Sequence, residues 1–213
     1  AQVFNINGFK HDAGPTVITA PFMFDDLFKL FNEDRKKYLN FVPLDPWYRF
    51  YFHDKTSFDY CKNISDTKKE ISKFSKLDAE RYEELLDVSK EIFDVGFTKL
   101  SDKPFNSFFT MLKQVPSLIK LKSYLTVSQL VKKYLKNEKI QSAFSIHPLL
   151  VGGNPFNTTS IYGLIHFLER NWGVYFCMGG TGKIVEELRK LMIRNKINIE
   201  LDVNITKVNL NAK

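Results

Sequence analysis

Cysteine is nearly absent: Cys61 and Cys177 are the only two in 213 residues, far apart and without CxxC spacing. That excludes a disulfide framework and a thiolate zinc site, and two free thiols agree with a reducing, cytoplasmic compartment. No run approaches about 18 uncharged apolar residues, which excludes a transmembrane helix, and the N-terminus shows no signal-peptide pattern. The four histidines, His11, His53, His147 and His166, form neither HExxH nor any paired spacing, so no metal centre is indicated. A GxSxG elbow is missing, and neither cysteine sits beside a candidate base. Carboxylate pairs such as Glu83-Glu84 and Glu186-Glu187 fall on helix surfaces, where solvation accounts for them. No self-contained catalytic set is visible, and neither a low-complexity linker nor an internal repeat interrupts the chain.

What is abundant is aromatic and basic. Hydrophobic residues make up 44% and aromatics 15%, with 20 Phe, enough to fill a core or line an apolar channel. The net charge of +7 would suit nucleic acid, an anionic membrane or an acidic partner. Lys113, Lys120, Lys122, Lys132, Lys133 and Lys136 lie along helical stretches beside apolar residues, with no nucleic-acid motif. Two readings of them remain: a solvated helix face, or a patch that docks on anionic lipid without spanning it.

Along the chain, Val3 to Ile6 and Phe9 to Asp12 flank Asn7-Gly8, a strong hairpin signal. Pro21 opens a helix over Phe22 to Phe31. Aromatic and polar residues alternate from Phe41 to Tyr60 around Asp54-Lys55, which predicts a second hairpin. A short helix is expected over Thr67 to Phe74. Asp78 is expected to cap a long helix in which Tyr82, Leu85, Leu86, Ser89, Ile92, Phe93, Gly96 and Phe97 share one face. Two or three Phe-rich helices are expected between Phe105 and Leu135, then helices at Glu138 to Phe144 and Ser160 to Arg170. The chain closes with a strand at Gly173 to Phe176, the turn Gly179-Gly180-Thr181-Gly182, an amphipathic helix through Met192, and a β-branched run from Ile197 to Val208. This reads as an α+β, mostly helical chain ending in a strand, glycine turn, helix and strand.

The glycine turn joins flexible backbone to the free N–H groups of a helix start, which suits close approach to a ligand or simply a tight turn. It is neither GxGxxG nor a P-loop.

A more specific signal lies in several stretches taken in order. Gly8 to Thr19, reading GFKHDAGPTVIT, resembles the GFxxDAGPTVIT segment of bacterial and fungal phytoene desaturases. Pro46-Trp47-Tyr48-Arg49, the run Leu149 to Phe156, Ser160-Ile161-Tyr162 with Ile165-His166, and Gly173 to Phe176 with Gly179 to Gly182 are similar to the same family in the same order.

This resemblance implies an FAD-dependent enzyme that dehydrogenates a long polyene such as phytoene and passes hydride to the flavin. The family's GxGxxG fingerprint, a Gly-Gly-Arg motif and a C-terminal FAD segment have no match in this chain, which starts on Ala1 and not Met. The chain is therefore expected to be an internal segment, inactive alone. Residues 1–20 and 177–213 would be parts of an FAD-binding domain, and 21–176 a helical and β substrate-binding domain. The resemblance implies that Asp12, Ala13, Gly14, Pro15 and Thr16 lie by the flavin, and that Ile205 offers backbone groups to its adenine. Gly179, Gly180 and Thr181 would border the flavin end of the substrate cavity, with His147 and His166 as further polar candidates. Some members carry an acid and a base where this chain has Thr110 and Lys113. Threonine cannot be that acid, which favours direct hydride removal with Lys113 as an electrostatic aid. The expected partners are a polyene hydrocarbon and a membrane surface, met peripherally, and not nucleic acid. A flavin oxidoreductase acting on another lipid or an amine, or an inactive lipid-binding helical module, are the alternatives.

Overall fold

The computed structural model describes residues 2–97 and 123–207. Its first element is the hairpin of β1 (Gln2–Ile6) and β2 (Phe9–Ala13), paired from Gln2 with Ala13 to Ile6 with Phe9. Asn7 at φ 51° and Gly8 at φ 83° supply the two left-handed residues of a twisted two-residue turn. The second expected hairpin also forms, between β5 (Tyr48–Tyr51) and β6 (Ser57–Tyr60). Its turn closes on the Asp54 carboxylate, which accepts from the Thr56 hydroxyl at 2.7 Å. A third sheet is assembled from distant segments. β7 (Tyr175–Cys177) lies in its middle, antiparallel to β3 (Val17–Ile18) on one side and β4 (Phe41–Pro43) on the other.

Around these sheets stand helices α1 (Pro21–Lys29), α2 (Ile64–Ser72), α3 (Lys76–Gly96), α4 (Val127–Tyr134), α5 (Glu138–Phe144), α6 (Leu164–Trp172) and α7 (Thr181–Arg194). The apolar face of α3 is the one its spacing predicts: Tyr82, Leu85, Leu86, Ser89, Ile92 and Phe93 are all buried, and α3 packs along α6. Its cap differs from expectation. Ser75 is the N-cap, its Oγ accepting from the Asp78 amide at 3.1 Å. The Asp78 carboxylate turns away to accept from the amides of Lys136 (2.9 Å) and Asn137 (2.7 Å), just ahead of α5. The helix expected from Ser160 begins as a 3-10 turn, Ser160–Gly163, before continuing as α6. No strand forms over residues 197–207: the β-branched run there has no pairing partner among the described residues, and a strand exists only through its ladder. The expected helices from Phe105 to Leu121, and Lys113 with them, lie outside the described residues.

Two cores result. Ile18, Phe28, Leu39, Cys177, Ile184 and Leu191 fill the space between the three-stranded sheet, α1 and α7. The larger core is aromatic, with ring centroids 5.1 Å apart for Trp47 and Tyr60 and again for Tyr60 and Phe144. Arg170 of α6 is built into its side. The guanidinium lies 4.5 Å from the Trp47 ring centroid and 4.6 Å from that of Tyr60. It donates to the carbonyls of Cys61 and Lys62, both at 2.7 Å, to Thr67 Oγ1 at 2.8 Å and to the Tyr82 hydroxyl at 2.9 Å. Planarity and fork geometry let arginine serve rings and carbonyls together.

Candidate active site

The segment between β2 and β3 is where the sequence placed its first candidates, and the structure makes it one wall of a cavity. Gly14, Pro15 and Thr16 face Leu149, Leu150 and Val151 across about 490 Å³, with Ile165 of α6 also in the lining. Gly14 sits at φ 103°, and nothing lies within 4 Å of the point where a Cβ would be. Backbone with open space beside it can meet a flat ligand closely. The opposite wall is apolar, with Leu149 and Val151 each 59% exposed. A larger hollow of about 690 Å³ lies elsewhere, between Thr56, Lys73, Phe74 and Lys139. Its lysines are already taken: Lys139 bonds Asp54, and Lys73 bonds Glu70.

The glycine turn lies next to this loop without lining the cavity. Thr181 N–H donates to Asp12 Oδ2 at 3.2 Å, so the end of strand β2 supplies the anion at the start of α7. Gly180 has φ 78°, and a Cβ there would fall 2.0 Å from Asp12 Oδ2; at Gly182 it would fall 2.4 Å from Val3 Cγ2. Gly180 and Gly182 are thus required by contact with the chain's own hairpin. The Thr181 hydroxyl is buried and has no partner among the described residues. Ile205 is 79% exposed in the segment after α7.

His147 and His166 are buried side by side beneath the apolar wall, ring centroids 4.0 Å apart at 74°. His147 Nε2 lies 2.9 Å from Glu169 Oε2, and the Tyr48 hydroxyl donates to Glu169 Oε1 at 2.7 Å. A carboxylate only accepts, so Nε2 of His147 carries the hydrogen. His166 Nε2 bonds the Phe144 carbonyl at 2.9 Å. Burial, then the neighbouring His147, hold His166 well below the usual histidine range, so it stays neutral. Burial and then the charge of Glu169 push the Tyr48 hydroxyl up. Sequence reading missed Glu169 and Tyr48. A glutamate in a helix reads as a surface group, and only the His147 and Tyr48 contacts across the fold reveal it.

No family model matches the chain. It is 44% identical over 191 residues to a lycopene-forming phytoene desaturase of Pantoea ananas, which covers 90% of this chain and 39% of that protein. With another from Pseudescherichia vulneris it shares 40% identity over 205 residues, 96% of this chain and 42% of the relative. The chain belongs to the phytoene desaturase family. A neurosporene-forming phytoene desaturase of Rhodobacter capsulatus is 29% identical over 199 residues, 92% of this chain and 38% of its own length. The chain spans about two fifths of the length of these phytoene desaturases. The resemblance read from the Gly8–Thr19 segment and the later motifs is therefore borne out, and the alternatives of a flavin oxidoreductase acting on another lipid or an amine, or of an inactive lipid-binding helical module, are not favoured.

Proposed function

We propose that this chain forms the substrate side of an FAD-dependent desaturase that dehydrogenates a long polyene hydrocarbon, phytoene or a close relative. The observation that carries this reading is the cavity between the open Gly14 loop and the Leu149–Val151 wall, in a chain 44% identical to a phytoene desaturase. A polyene has no charge to grip, so its site must recognise shape through apolar contact, and the wall offers that.

The fit of the residues to FAD is partial. Backbone at Gly14, Pro15 and Thr16 suits the face or edge of a flat ring. The start of α7, a natural place for a diphosphate, is already occupied by the Asp12 carboxylate. The described residues thus fit the ring end of the cofactor and not its diphosphate. When bound, the flavin supplies the hydride-accepting chemistry. The chain's own part is to hold the polyene against that ring and keep water out, with Leu149, Leu150 and Val151 on one side and the Gly14 loop on the other.

In this reading residues 1–20 and 177–213 belong to an FAD-binding domain and 21–176 to a substrate-binding domain. At the boundary the two parts are joined, because β7 pairs with both Val17–Ile18 and Phe41–Pro43 in one sheet. The protein would meet a membrane peripherally to collect its substrate. No helix among the described residues is long and apolar enough to cross one. Phe156 and Tyr124, 65% and 70% exposed, lie in the same part of the chain as the exposed cavity wall and the lysines of α4.

The test is turnover by the full-length protein with FAD and phytoene in anionic liposomes, followed by chromatography. New conjugated double bonds are expected; FAD-loaded protein that leaves phytoene unchanged overturns the reading.

A further inference from the structure

We infer that Glu169 is a positioning residue for the substrate cavity, acting through His147 on the wall formed by Leu149, Leu150 and Val151; the inference rests on the function proposed above. His147 begins the 3-10 turn His147–Val151, and its ring is the side-chain tether of that turn to α6, through Glu169 Oε2 at 2.9 Å. The other end of the turn is closed by backbone alone. Gly152 takes φ 77°, and Gly153 N–H donates to the Pro148 carbonyl at 2.7 Å. Between these anchors Leu149, Leu150 and Val151 turn their side chains outward, toward the Gly14 loop.

Glu169 is fully buried, and Tyr48 on β5 fixes its second oxygen. A buried carboxylate is a poor device for stability, because an apolar side chain of similar size avoids the desolvation cost. What the carboxylate does supply is direction: two donors from different parts of the fold, β5 and the cavity turn, meet on one rigid group of α6. The position of the apolar wall relative to Gly14 is thereby tied to the aromatic core instead of to the flexible glycine end.

The experiment compares the full-length enzyme with Glu169→Gln, Tyr48→Phe, Leu150→Ala and the double variant Glu169→Gln/Leu150→Ala. Hydrogen exchange of the Leu149, Gly152 and Gly153 amides should quicken about tenfold in Glu169→Gln while the amides of α3 keep their protection. KM for liposomal phytoene should rise about fivefold with kcat nearly kept, since uniform substrate contact is lost and the reacting centre is untouched. Adding Leu150→Ala should add little further, because both changes act on the same wall. Tyr48→Phe should move both readings the same way by less, and it decides the matter if Glu169→Gln fails to fold. Unchanged exchange in the turn, or a protection loss spread evenly over α3 and the turn with KM constant, overturns the inference. An inactive wild-type enzyme would sink the proposed function and leave the exchange result to be read alone.

Discussion

The cluster around Arg170 on α6 and the contact of the first hairpin with α7 solve opposite problems. Around the half-buried Arg170 the molecule gathers rings, carbonyls and hydroxyls from Trp47, β6 and the loop after it, α2 and α3 into a densely partnered cluster. Around Asp12 and Gly180 a largely exposed hairpin is held to α7 by one carboxylate and two glycines that leave no room for a side chain. The first arrangement resists change through many contacts. The second depends on a few close approaches, and it sits beside the Gly14 loop where a ligand would have to fit. Rigidity is placed under the cavity and precise clearance at its rim.

That contrast can be broken at either end. Arg170→Met should have the largest effect on stability, because it removes four hydrogen bonds, to the Cys61 and Lys62 carbonyls, Thr67 Oγ1 and the Tyr82 hydroxyl, and the guanidinium packed on Trp47 and Tyr60; about 3 kcal/mol is expected from chemical denaturation. Loss of under 1 kcal/mol would show the core to be less dependent on its arginine than the geometry implies. Gly180→Val comes next. It adds a side chain at a left-handed φ and collides with Asp12, at a cost of about 1–3 kcal/mol, and should abolish desaturation by the full-length enzyme. Unchanged activity would remove the turn from the site. Asp12→Asn is the mildest change, since the amide oxygen can still accept from Thr181 N–H. It should cost about 0.3–1 kcal/mol through the lost charge at the helix start, with little change in product pattern, whereas Asp12→Ala should cost more.

Much of this was legible from local rules. The Asn7-Gly8 hairpin, the buried face of α3 and the span of α5 follow from turn chemistry and spacing alone, as does the helix after the glycine turn. What escaped was decided by partners distant in sequence. Asp78 looks like a cap beside its own helix, yet its carboxylate serves amides 58 and 59 residues away while Ser75 caps. Glu169 looks like a solvent-facing helix residue until Tyr48 and His147 are found on it. The run from Ile197 has the composition of a strand, but composition supplies no neighbour to pair with. For the candidate site, the residues of the Gly14 loop and the Leu149–Val151 wall were both quoted from sequence motifs; that they face one another was not derivable, because more than 130 residues separate them.

The central place of β7 in its sheet has a consequence for the order of assembly on the ribosome. β3 and β4 emerge more than 130 residues before the strand that joins them, so both must wait, unsatisfied, while α2 to α6 are made and can already collapse around Tyr60 and Phe144. A nascent chain stalled short of Tyr175 would display two bare backbone edges, an invitation to chaperones or to other nascent chains, until β7 itself leaves the ribosome and pairs with both.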